Sequence, residues 1–158
     1  MEATAFITEN LTALLSYGYL HAEFDEFITF VTGSPVDISD TRVFQNSPEH
    51  SVYLGATWTQ PLFQGELAVT PSLSYRSDYH LFEAADPILD QEAYTLVDLA
   101  AIWDSPNGNW SVGFNGRNLT DERYRVGGYS FPGATFNNSI SAFYGPPRTF
   151  SVTLTARY

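Results

Sequence analysis

Thr149-Phe-Ser-Val-Thr-Leu-Thr-Ala-Arg-Tyr158 decides the reading of this sequence. Phe150, Val152, Leu154, Ala156 and Tyr158 alternate without a break against Thr149, Ser151, Thr153, Thr155 and Arg157. A period of two places an apolar row on one face of a strand and a hydroxyl-rich, basic row on the other. A long, flat and regular strand is a hazard at the edge of a soluble sheet, because its free edge recruits other chains. In lipid, a strand that helps close a barrel carries no such liability.

The same alternation recurs upstream. Residues 2–7 read as the tail of a strand, and 8–10 as a short turn. Residues 11–27 read as a long strand with Leu11, Ala13, Leu15, Tyr17 and Tyr19 on one side. Further strands are expected at 49–60, with Val52, Leu54, Ala56 and Trp58 on one face, and at 66–79, with Leu67, Val69, Leu73 and Tyr75. Two more follow at 93–104, carrying Val97, Leu99, Ala101 and Trp103, and at 110–118, carrying Trp110, Val112 and Phe114. Pro106-Asn-Gly108 marks the turn between those two.

The connections alternate between short (8–10, 61–65, 105–109) and long (28–48, 80–92, 119–147). In a run of antiparallel strands this puts every short turn at one end and every long loop at the other, the asymmetry of outer-membrane barrels. Aromatic residues fall in two levels. Trp58, Trp103, Trp110 and Tyr158 lie near the short turns, and Tyr17, Tyr19, Tyr75 and Tyr79 towards the long loops. From Leu67 to Tyr75 the chain extends by about 26 Å at ~3.3 Å per residue. With a tilt of about 40° that is roughly 20 Å of height, close to the ~25 Å apolar band between two aromatic girdles.

Composition excludes several classes. Seven Lys plus Arg against 18 Asp plus Glu give a net charge of -11. That argues against nucleic acid, which needs a basic face, and provides no polybasic patch for anionic headgroups. Without Cys there is no disulfide framework or thiolate metal site. Met1-Glu-Ala-Thr-Ala5 shows neither a basic start nor an apolar core, so no signal peptide is expected. No apolar run reaches the ~18 residues of a membrane helix. A soluble β-sandwich also alternates, but its outer face would carry more Lys and Glu than these Ser, Thr, Asn and Arg rows.

Two blocks then carry a family resemblance. Gly116-Arg-Asn-Leu-Thr-Asp-Glu-Arg-Tyr124 and Tyr144-Gly-Pro-Pro-Arg-Thr-Phe150, followed by the aromatic last strand, resemble the C-terminus of TonB-dependent outer-membrane receptors. Tyr17-Gly-Tyr-Leu-His-Ala-Glu-Phe-Asp-Glu-Phe27 and Asn46-Ser-Pro-Glu-His50 resemble segments of the same family in the same order. The resemblance implies an all-β fold: an antiparallel transmembrane segment of about seven strands from a barrel of ~22, enclosing a plug. Residues 1–158 would be the C-terminal part of that barrel, with plug and earlier strands absent.

The implied function is uptake of a scarce solute, above all a ferric siderophore, energised by the TonB complex through the plug. The implied location is the bacterial outer membrane, in contact with its lipid. The last strand resembles the signal read by the barrel-assembly machinery, through Phe150, Val152, Leu154, Ala156 and Tyr158, although Thr153 stands where the family often has glycine. A small self-assembling pore and a soluble all-β binding domain are the competing functions.

Ligand-contact candidates come from the longest loop: Arg125, Tyr129, Phe131 and Phe136 offer a cation and rings to an anionic, aromatic chelate. Packing of loop against loop is the plainer role for them. His21, His50 and His80 are too dispersed to imply a metal site, and Glu23, Asp25 and Glu26 lack the spacing of a calcium loop. No nucleophile–base pair is apparent, so neither an enzyme nor a cofactor is expected. Asn118, Thr120 and Asp121 are expected to anchor a loop through turns of their own backbone.

Overall fold

The computed structural model describes residues 1–131, 133, 135 and 137–157. Its strands are β1 (Glu2–Thr8), β2 (Leu11–Tyr19), β3 (Ile28–Val31), β4 (Ser34–Asp37), β5 (His50–Leu62), β6 (Gly65–Arg76), β7 (Tyr94–Asp104), β8 (Trp110–Arg117), β9 (Arg125–Phe131), β10 (Ser139–Tyr144) and β11 (Thr149–Ala156). Seven of these form one sheet in the order β1-β2-β5-β6-β7-β8-β11, antiparallel throughout. The sheet is open. With seven antiparallel strands its edge strands β1 and β11 point the same way, so they cannot close antiparallel on each other.

Register explains how the alternation becomes a surface. Leu15 stands opposite Leu54, and Tyr17 opposite Val52. Leu54 in turn faces Leu73, and Val52 faces Tyr75. The row continues through Leu73 with Val97 and Leu67 with Trp103, Ala101 with Phe114 and Trp103 with Val112, and Phe114 with Val152 and Val112 with Leu154. A slip of one residue in any pair would have broken this face. The opposite face carries Thr57, Thr70, Ser72, Asp98, Asn115, Ser151 and Thr153, and the hydroxyls of Thr57 and Thr70 bond at 3.0 Å.

No second layer covers the apolar face. Phe150, Val152 and Leu154 are 61 %, 72 % and 66 % exposed. A β-sandwich would bury such residues against a partner sheet, and the described residues contain none. The buried hydrophobic residues gather instead beneath the long loops: Tyr79, Leu81, Leu89 and Tyr94. Among the described residues no helix is long and apolar enough to cross a membrane.

The short turns are tightly specified. Phe63 and Gln64 both adopt positive φ, at 51° and 63°, so β5 and β6 join through a two-residue hairpin turn. There the Trp103 indole N–H donates to the Leu62 carbonyl at 2.9 Å. Gly65 leaves no room for a side chain beside Asp104 and that indole. In the β7–β8 turn, the Asn107 side-chain oxygen accepts from the Ser105 hydroxyl at 2.9 Å and the Asn109 N–H at 3.2 Å.

The structure corrects two strand ends and the reading of two connections. The strand expected over 11–27 ends at Tyr19, because β5 begins at His50 and Pro48, with no N–H, cannot extend the ladder. The strand expected over 66–79 ends at Arg76. Ser77 then turns inward, and its hydroxyl accepts from the His50 N–H at 3.1 Å. The long connections at 28–48 and 119–147 are not irregular throughout: each holds a two-stranded hairpin, β3–β4 and β9–β10.

Candidate functional site

The polar face of the sheet meets the loops at the end opposite the short turns. Arg76 and Tyr94 face each other across β6 and β7 there, with Ser74 and Leu96 one step below. Loop residues Tyr79 and Tyr124 complete a cleft of about 310 Å³. Tyr124 stacks on Tyr94 with ring centroids 4.6 Å apart and planes 12° from parallel. Gly145 makes this possible, because a Cβ there would overlap the Tyr124 ring. The Tyr79 hydroxyl donates to the Arg125 carbonyl at 3.5 Å.

Burial pushes the Tyr124 phenol up from its ordinary value, the neighbouring Tyr94 adds to this, and Arg76 partly opposes it. Tyr124 therefore stays protonated near neutral pH and can donate a hydrogen bond. A guanidinium beside phenolic donors is a receptor for oxygen-rich anions, and the rings can stack on an aromatic solute. No group of His, Cys, Asp or Glu among the described residues is arranged to hold a metal ion.

The loop candidates have different partners. Arg125 stands at the foot of β9: its N–H donates to Gln91 Oε1 at 2.5 Å and its guanidinium to the Asp90 carbonyl at 2.9 Å. It thereby ties β9 to the 80–92 loop. Tyr129 lies further along the same hairpin, edge-on to Phe143 at 5.5 Å and 5.9 Å from Phe131. Tyr129 also lines a groove with Phe82 and Pro87. Phe136 lies outside the described residues.

The aromatic levels take the following positions. Tyr17, Tyr19 and Tyr75 stand on the apolar face at the loop end. Trp58, Trp103 and Trp110 stand on that face towards the short turns. Tyr79 is different: at 8 % exposure it is packed with Leu81 and Tyr94 in the loop-base core. In β11, Phe150, Val152, Leu154 and Ala156 share the apolar face, and Tyr158 lies outside the described residues.

Sequence reasoning did not single out Arg76, Tyr94 or Tyr124. Arg76 and Tyr94 are eighteen positions apart and meet only through the β6–β7 register. Tyr124 reaches them because Asn118 and Asp121, both at positive φ, fold the chain back after β8. Asn118 is 4 % exposed. Its amide donates to the carbonyls of Glu122 and Pro146 at 2.9 and 3.1 Å, and its oxygen accepts from the Glu122 N–H at 2.8 Å. The Arg148 N–H donates to Asp121 at 2.9 Å.

Residues 1–119 match the family described as TonB dependent receptor-like, beta-barrel. The chain belongs to that family. Among solved structures, the ferric yersiniabactin uptake receptor FyuA from Yersinia pestis superimposes with a TM-score of 0.74 at 17 % identity, over 98 % of this chain and 22 % of that one. The siderophore receptor PiuA from Acinetobacter baumannii gives 0.68 at 20 % identity, over 96 % of this chain and 20 % of that one. BauA, the ferric preacinetobactin receptor from Acinetobacter baumannii, gives 0.67 at 20 % identity, over 97 % and 20 %. The chain thus spans about a fifth of the length of the solved receptors it matches. At these identities the likeness concerns the fold. No curated protein matches in sequence.

Proposed function

We propose that this chain forms the C-terminal barrel wall of an outer-membrane receptor for an anionic metal chelate of the siderophore type. The carrying observation is the two-faced sheet: one face predominantly apolar, the other presenting the Arg76–Tyr94–Tyr124 cleft beneath the loops. Family membership supports the receptor reading, and the siderophore receptors of similar fold suggest the solute class. On this reading the apolar face meets outer-membrane lipid and the polar face meets a plug. Energy arrives from the TonB complex through that plug. The barrel-assembly machinery reads β11, and the chain performs no catalysis.

The test uses the full-length receptor in cells depleted of iron, with uptake of radiolabelled ferric siderophores as the readout. Arg76→Gln and Tyr124→Ala should each lower uptake by about tenfold at unchanged surface level, the loss expected when one charge-assisted or stacking contact is removed. Wild-type uptake in both variants would overturn the assignment of the cleft. Steady conductance of the isolated chain in a planar bilayer would favour a pore instead.

A further inference from the structure

A second cleft, with no lining residue in common with the first, lies between the loop after β2 and the 80–92 loop. It encloses about 450 Å³ and is lined by Phe24, Phe44, Asp40, Arg42 and His80, among others. Local chemistry holds its wall in place. The Asp37 carboxylate accepts from the N–H groups of Phe27 at 3.0 Å and Ser39 at 2.9 Å, which fixes the entry to the 3-10 turn Ser39–Thr41. Beyond the turn, the Val43 N–H donates to the Glu83 carbonyl at 2.8 Å and binds the two loops together.

Arg42 is placed but not satisfied. Its guanidinium lies over the Phe27 ring, 5.5 Å from the centroid, and its Nε is buried with no acceptor. A buried donor left without a partner is costly, and the Arg42 side chain lines the cleft. Asp40, two residues earlier, lines the same cleft and is in no ion pair among the described residues. The two opposite charges therefore share a cleft without pairing to each other.

His80 adds a third polar group. Its Nδ1 is 2.8 Å from Asp90 Oδ2. A carboxylate only accepts, so Nδ1 carries the hydrogen of this bond, which fixes the ring beside the cleft. Phe24 and Phe44, stacked at 4.1 Å, form an apolar wall beside these groups. A plain anion would meet Asp40 and Glu23, the latter 3.4 Å from His21, and a plain cation would meet Arg42. A ligand carrying both charges meets neither conflict.

We propose that this cleft binds a small zwitterionic solute of the amino-acid type, its carboxylate on Arg42, its ammonium on Asp40 and its apolar part against Phe24 and Phe44. The site goes beyond the uptake function inferred above and does not depend on it.

The test is calorimetric titration of the protein in detergent micelles with three probes: phenylalanine, phenylacetate and phenethylamine. Phenylalanine should bind saturably, and the two single-charge analogues about tenfold or more weakly, as loss of one charge-assisted contact requires. Arg42→Gln and Asp40→Asn should each weaken phenylalanine binding by about tenfold. Arg42→Lys, which keeps charge but not the planar fork, should fall between wild type and Arg42→Gln. Asp40 is exposed, so its variant tests the site without threatening the fold. No saturation with phenylalanine overturns the proposal. So does phenylacetate binding as tightly as phenylalanine, or an Asp40→Asn variant that binds like wild type.

Discussion

The side-chain amide of Asn118 donates to the main-chain carbonyl of Pro146 at 3.1 Å, joining the two feet of the excursion between β8 and β11. The same nitrogen serves the Glu122 carbonyl at 2.9 Å, and the side-chain oxygen takes the Glu122 N–H at 2.8 Å. The Asn118 N–H is itself met by Asp98 Oδ1 at 2.7 Å. One buried side chain thus closes the loop base on itself and on the segment that leads into the last strand. Asn also tolerates the φ of 50° found there.

Asn118→Ala should therefore destabilise the protein by about 2–3 kcal/mol, since it removes three hydrogen bonds worth ~1 kcal/mol each and leaves buried partners unmet. Asn118→Asp should be no milder. It restores an acceptor for Glu122 but no donor for Pro146, and it adds a charge near Asp98. Urea unfolding followed by tryptophan fluorescence measures both. A shift in midpoint smaller than that of an exposed loop substitution would remove Asn118 from this role.

The opposite sign is expected at the β5–β6 turn. Phe63 is highly exposed, and both Phe63 and Gln64 sit at positive φ, where side chains other than Asn, Asp and Gly are strained. Replacing the pair by Asn-Gly should stabilise the protein by roughly 1–2 kcal/mol, from relief of strain at two positions. The same urea experiment reads it, and an unchanged or lowered midpoint would show that the Phe63 ring has a partner in the membrane.

What the sequence made legible follows from the range of each interaction. Alternation is local, so the faces of β5 to β8 and β11 could be read from 150–156 and its upstream counterparts. The upper end of β2 could not, because whether residues 20–27 pair depends on where β5 begins, thirty residues away. Hairpin β3–β4 has strands of four residues, too short for any period to register. Tyr79 stands four residues from Tyr75 and continues its parity, yet the turn at Ser77 carries it into the loop-base core. The cleft at Arg76 was hidden for the same reason as β2: its members meet through register and stacking.

Acid should loosen one loop selectively. Hydrogen bonds from the Phe27 and then the Ser39 N–H hold the Asp37 carboxyl below the ordinary carboxylate range. A depressed folded value means that its stabilisation is complete above the unfolded value of about 3.9 and is lost as pH falls through the folded value. Nuclear magnetic resonance of the Ser39 amide should thus show a transition below about pH 4 that Asp37→Asn abolishes. A midpoint at or above the ordinary value would contradict the two hydrogen bonds.

The sharpest test of the two faces uses neighbouring residues of β11. Val152 stands opposite Phe114 on the apolar face, and Thr153 opposite Gly113 on the polar face. If the apolar face meets hydrocarbon, Val152→Lys must bury an ammonium in lipid near mid-height, at a cost of about 2–4 kcal/mol. Thr153→Lys leaves its charge on the polar side and should cost well under 1 kcal/mol. In water both positions would be exposed and the two variants nearly equal, so the difference itself carries the information. Folding equilibria in lipid vesicles, read as the heat-modifiable fraction across a guanidinium series, measure that difference. Equal losses in the two variants would mean that the strand does not separate lipid from lumen, and the receptor reading would lose its structural basis.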